Sequence, residues 1–148
     1  MNETLAAVSY GKDFYAWLIS SARLLREKKF SDLDTENIAE ELEGMARSDK
    51  RQLINRFAVL LAHLLKWQFQ PALRSKSWER TLREQRKRIR LLLEDSPSLT
   101  HELDKRIHDA YEIAILSAPN ETGLDEDSFP ASCEYSLDEI LSDQFYPV

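Results

Sequence analysis

The feature that most restricts the fold is a stripe of apolar side chains at helical spacing: Ile38, Leu42, Met45, Leu53, Phe57, Leu60, Leu61, Leu64 and Trp67. Residues three and four apart fall on one side only when the backbone is an α-helix. Asp34 or Thr35 supplies the N-cap, Glu36 sits in the first turn, and Pro71 lies beyond the far end. Asp49 interrupts the stripe, and Gly44 and Ser48 lower helix propensity nearby. The segment is therefore one helix from about residue 35 to 69 or two that meet at a bend near Arg47 to Lys50, and the single helix is the reading preferred here. Its second half is apolar almost all round, which makes it the central element of a bundle.

Other segments repeat the pattern. Phe14, Trp17, Leu18, Ser21, Leu24 and Leu25 give an amphipathic helix from about Asp13, its cap, to Glu27. Ser77 is expected to cap a third helix that turns Trp78, Leu82, Ile89, Leu92 and Leu93 inward and ends near Asp95. Ser96 or Ser98, flanking Pro97, opens a fourth, with Leu99, Leu103, Ile107, Ala110, Tyr111 and Ala114 inward, closing near Ala118. Residues 119–135 hold two prolines and five acids without helical period, and are expected to form an acidic arm without regular structure. Ser136 and Glu139 form a capping-box pattern for a short last helix. No strand pattern competes. The expected fold is all-α: a single domain over residues 1–148 with a four-helix core, a long central second helix, and a short C-terminal helix on the acidic arm.

A chain of 148 residues can bury about 70% of its unfolded surface, so neither disulfides nor a metal is needed to hold it. Cys133 is the only cysteine, which excludes an intramolecular disulfide and a multi-cysteine zinc site and fits a reducing cytoplasm. The N-terminus carries an acid where a secretory signal carries positive charge, and the longest nearly unbroken apolar run, Phe57 to Leu65, falls well short of the roughly 20 residues that cross a bilayer. A cytoplasmic location without membrane association is expected.

The segments DFYAWLISSARLLREKKFSDLDTENIAEELEGM, LLAHLLKWQFQP, RSKSWERTLREQR, DSPSL and ETGL occur in this order. In that order they resemble a bacterial, often cyanobacterial, family known as domain of unknown function twenty-nine, over about Tyr10 to Pro147. The resemblance implies a compact helical domain found in many paralogous copies. It implies no activity and supplies no catalytic or binding residues.

Charge is distributed unevenly. Lys66 to Arg90 holds nine Lys or Arg against Glu79 and Glu84, a local charge of +7 within a chain of net charge -6, whereas no Lys or Arg follows Arg106. Arg80, Arg83, Lys87 and Arg90 share one face of the third helix, away from its apolar stripe. Such a face can meet an acidic partner, follow a phosphate backbone with Trp67, Phe69 or Trp78 stacking on bases, or pair within the chain, with the acidic arm or with Glu36, Glu40 and Glu43. In the turn QPALRSKSW, Arg74 and the amides after Ser77 can hold a phosphate or a carboxylate, and an acid of the arm such as Glu121 fits there equally.

A polar line, Gln52, Arg56, His63 and Gln70, runs along the central helix. An imidazole among Val59, Leu60, Leu64 and Trp67 must find a hydrogen bond or lose its charge. Glu41, Glu84 and Gln85 are its candidate partners, for acid–base chemistry or for a satisfied network that fixes helix register. No Glu-x-x-His pair exists, and His101 and His108 lack an evident third ligand, so a di-metal carboxylate site is not expected. A nucleophile elbow, a phosphate-cradling glycine loop and a zinc helix are likewise missing. No cofactor is expected. The reading of the sequence is a non-enzymatic interaction or regulatory module with Arg74, Arg80, Arg83, Lys87 and Arg90 as binding residues, for a protein partner or its own copy. The alternatives are a nucleic-acid-associated module on the same basic helix and an acid–base or metal-dependent enzyme around His63.

Overall fold

The computed structural model describes residues 10–148 and divides into two compact units, one reaching Ser48 and the other spanning Asp49–Val148. In the first unit lie α1 (Phe14–Arg26) and the start of α2 (Thr35–Phe69). The rest of α2 belongs to the second unit, with α3 (Lys76–Asp95), α4 (Leu103–Ser117), the single turn α5 (Pro119–Thr122) and α6 (Leu137–Leu141). No strand occurs among the described residues. The fold is all-α with a long second helix, and α2 passes through residues 47–50 without a break.

Local chemistry sets the ends of α1. Asp13 Oδ1 accepts the Ala16 N–H at 3.0 Å, satisfying an amide that has no helical partner. At the other end the Lys28 and Lys29 amides reach back to the Leu25 and Leu24 carbonyls at 3.1 and 2.9 Å. These paired bonds need a left-handed residue, and Lys28 takes that place with φ of 58°. Phe14 and Trp17 stack, Tyr10 meets both rings edge-on, and the Tyr10 hydroxyl donates to Glu41. Trp17, Ser20, Ser21 and Leu24 are buried. Phe14, Leu18 and Leu25 were expected inward but are 45%, 41% and 46% exposed, and Leu42 and Met45 of the α2 stripe are 62% and 66% exposed. Two helices have only one mutual face, so apolar residues flanking that face stay in water.

The second unit is built round the apolar half of α2. Leu53, Phe57, Leu60, Leu61 and Leu64 are wholly buried, packed with Leu82 and Ile89 of α3, Ile107, Ala110, Tyr111 and Ala114 of α4, and Ile140 of α6. Burying each Leu or Phe side chain contributes about 1.5–3 kcal/mol.

Three details differ from the sequence expectations. Ser75, not Ser77, caps α3, its hydroxyl taking the Trp78 N–H at 3.2 Å. The Pro97–Thr100 segment is a separate 3-10 turn, and α4 starts only at Leu103. The acidic arm is not without regular structure, because Pro119–Thr122 and Glu126–Ser128 each form a helical turn. The capping box is present, Ser136 and Glu139 exchanging bonds of 2.9 and 3.1 Å.

Phe57→Ala should lower stability by about 3–5 kcal/mol, because it opens a cavity among side chains that cannot collapse into it. Urea unfolding followed by helical circular dichroism checks this, and a loss under about 1 kcal/mol would mean the site relaxes or is wetter than its burial implies.

Candidate functional site

The inward stripe of α3 is Trp78, Leu82, Arg86 and Ile89, and it therefore contains a guanidinium. Arg86 is fully buried. Its Nε donates to the Ile140 carbonyl at 2.8 Å, and its Nη2 donates to the carbonyls of Phe145 and Glu139 at 2.9 and 3.4 Å. The ring of Tyr146 lies 5.8 Å away. Glu139 and Ile140 stand in the last turn of α6, where the Ile140 carbonyl lacks a helical partner, the Glu139 carbonyl also takes the Ser142 N–H at 3.3 Å, and the helix end is partly negative. A buried cation thus binds the end of a helix rather than a carboxylate, and desolvation lowers its pKa from the ordinary arginine value. One turn on, Arg90 donates to the Leu141 carbonyl at 3.0 Å and forks onto the two Asp143 oxygens at 3.3 and 3.2 Å.

A second anchor joins the arm to the end of α2. Lys66 is buried, with its Nζ 3.0 Å from Glu121 Oε2, and the Trp78 indole N–H donates to the same oxygen at 3.2 Å. The ammonium also lies 5.3 Å from the Trp78 ring centre. Gln70 donates to the Thr122 carbonyl at 3.2 Å and Tyr135 donates to Gln68 at 2.6 Å. Glu121 therefore pairs with Lys66, not with Arg74. The Arg74 Nε donates to the Trp67 carbonyl at 2.8 Å and its Nη2 to the Pro147 carbonyl at 3.4 Å, while the guanidinium lies over the Trp67 ring.

The sequence candidates for acid–base chemistry have separate engagements. His63 is half-buried and its Nδ1 lies 2.8 Å from the Val59 carbonyl. Desolvation, with some help from the Lys66 charge, holds its pKa below the usual imidazole value. Glu41 belongs to the first unit and takes the Tyr10 hydroxyl. Glu84 accepts from Arg88 at 3.0 Å on exposed helix surface, and Gln85 accepts from Arg56 at 3.4 Å. Among the described residues no group of three His, Cys, Asp or Glu side chains could hold a metal ion. A cleft of about 300 Å³ holds Asp104, His108, Cys133 and Tyr135. Burial pushes the Cys133 thiol up, away from the reactive thiolate, and His108 Nε2 sits 3.1 Å from Glu112.

What remains of the basic helix is a stripe. Arg80, Arg83 and Lys87 are exposed and have no ion-pair partner among the described residues. Their spacing of three and four places them on one face, with Lys76 in line one turn before. The sequence reading missed the buried Arg86 and Lys66. The signal was available, because both stand at apolar-stripe positions of helices whose neighbours there are Leu, Ile or Trp.

The family model for domain of unknown function DUF29 matches residues 9–146. The chain belongs to this family. No curated protein and no solved structure matches it. The DUF29 match takes in both the basic helix and the C-terminal segment held by Arg86 and Arg90. No helix among the described residues is long and apolar enough to cross a membrane.

Stability should fall with acid in two stages. His63 has a folded pKa below its ordinary 6.5, so the unfolded chain takes the proton first and stability declines as pH drops below that value. Glu121 is held below its ordinary 4.5 by Lys66 and Trp78, so its contribution is full above 4.5 and is lost as pH falls through the folded value. Urea midpoints across pH should show the upper stage vanish in His63→Gln and the lower stage shrink in Glu121→Gln. Profiles identical to the parent in both variants would refute this assignment.

Proposed function

We propose that this DUF29 chain is a small cytoplasmic, non-enzymatic interaction module that docks an acidic protein surface on the α3 stripe of Arg80, Arg83 and Lys87. The observation that carries the reading is a division of labour along one helix: Arg86 and Arg90 are consumed by the C-terminal segment, while these three cations have no acid of their own among the described residues. An exposed row of like charges repels itself and gains free energy when carboxylates approach. Arg74 and Arg90, also candidates from the sequence, are better read as holding the chain end than as contacting a partner.

A protein partner is favoured over nucleic acid by the state of the aromatic residues. Trp78 is buried and donates to Glu121, Trp67 lies between Arg74 and Tyr146, and Phe69 packs against Phe129. Base stacking needs an open ring face, and these rings are occupied. The enzyme reading loses ground because His63, Glu41 and Glu84 each bond elsewhere.

Capture from lysate with the whole chain tests the proposal, comparing the parent with Arg80→Glu/Arg83→Glu/Lys87→Glu and running both with and without nuclease. Arg90 is left intact so that the C-terminal segment stays docked. An acidic protein that survives nuclease, is lost with the variant, and weakens at least about tenfold between 50 and 200 mM salt is the expected result. Retention by a variant of unchanged helicity would sink the proposal, and loss of every partner after nuclease would move the stripe to a phosphate backbone.

A further inference from the structure

The first unit carries an apolar surface that neither the core nor the proposed docking explains. Phe14, Tyr15, Leu18, Ile19, Leu25, Phe30, Leu42 and Met45 are all between 41% and 75% exposed. Isolated exposed apolar residues are ordinary, but contiguous patches beyond a few hundred Å² are rare on monomers. Five of these eight share one side of α1. On a helix turning about 100° per residue, Phe14, Leu18 and Leu25 fall within about 40° of one another, and Tyr15 and Ile19 extend the face to about 140°. Trp17, Ser20, Ser21 and Leu24 occupy the adjoining arc, roughly 90° round from Phe14, Leu18 and Leu25, and are buried.

We infer that this face of the first unit binds a second copy of the chain, forming a two-fold symmetric dimer in which two helix pairs complete a four-helix arrangement. The amount of surface fits. Half-exposed side chains of this size leave roughly 600–700 Å² of apolar area per copy, close to the about 800 Å² per partner of a standard stable interface. The charges fit as well, since one copy carries both signs at the border of the face. Arg26 and Lys28 end α1, Glu36 and Glu40 begin α2, and none of the four has an ion-pair partner among the described residues. In a two-fold interface each copy offers the same patch, so cations of one meet carboxylates of the other twice over. A foreign partner would need to match both the apolar face and this mixed border, whereas a copy of the chain already carries both.

Sedimentation equilibrium of the full chain tests this. The parent should dimerise with a dissociation constant of about 10 µM or tighter. Tyr15→Gln/Leu18→Gln/Ile19→Gln should weaken it at least about tenfold with helical circular dichroism unchanged, since these side chains are exposed and charge is preserved. Leu42→Gln/Met45→Gln on the other helix gives an independent check. A parent that stays monomeric at roughly 100 µM would overturn the inference. So would a dimer indifferent to both variants, or growth into open-ended polymers, which marks a head-to-tail contact. Neither variant alters α3, so loss of the dimer and loss of acidic-partner capture are read separately.

Discussion

The second unit depends on a guanidinium placed where its fold has no water to offer. Taking an arginine fully into a core costs several kcal/mol, and Arg86 offsets part of this cost through Nε and Nη2, which bond the main-chain carbonyls of residues 139, 140 and 145, while its Nη1 has no protein partner. The Ile140 carbonyl has a need of its own, because the end of α6 leaves it without a helical partner. Each side thus lowers the other's penalty. The bond also fixes the register of the chain end. Once Ile140 is in place, Asp143 falls opposite Arg90, Tyr146 meets Trp67 at a ring separation of 5.0 Å, and the Pro147 carbonyl comes to Arg74.

The same logic accounts for the uneven charge. A +7 segment next to an acidic C-terminal half would have cancelled fully had every cation faced the arm. Geometry prevents this, since a helix of 3.6 residues per turn can turn only part of its circumference toward one neighbour. Arg86 and Arg90 fall on the covered part and Lys66 reaches Glu121 from α2. Arg80, Arg83 and Lys87 fall on the open part, so the surplus is a consequence of where the stripe points.

Much of the fold was legible in the sequence because its signals are local or strongly periodic. Asp13, Ser136 and Glu139 act as caps at the positions their side-chain chemistry demands, and the stripe from Leu53 to Leu64 is buried as its spacing requires. Ser75 and Ser77 are equally good caps in isolation, and the helix starts at Lys76 with Ser75 as its cap. Long-range pairing was harder to read. Glu121 suits Arg74 and Lys66 alike on paper, and only the path of the arm chooses Lys66. Sequence pattern also treats every apolar stripe as inward, yet whether Phe14, Leu42 and Met45 are covered depends on how many helices surround them.

The two proposed surfaces reinforce one another physically. A row of three exposed cations gives fast, salt-sensitive encounter but modest affinity, since each exposed pair contributes only about 0–1 kcal/mol. Dimerisation through the first unit would place two such rows in one particle. Engagement of the second row then becomes intramolecular, with an effective concentration set by the spacing of the acidic sites on the partner. Weak contacts can in this way yield firm binding to a partner with two acidic patches, and little to one with a single patch. Selectivity would then reside in the dimer's spacing, not in any single side chain of α3.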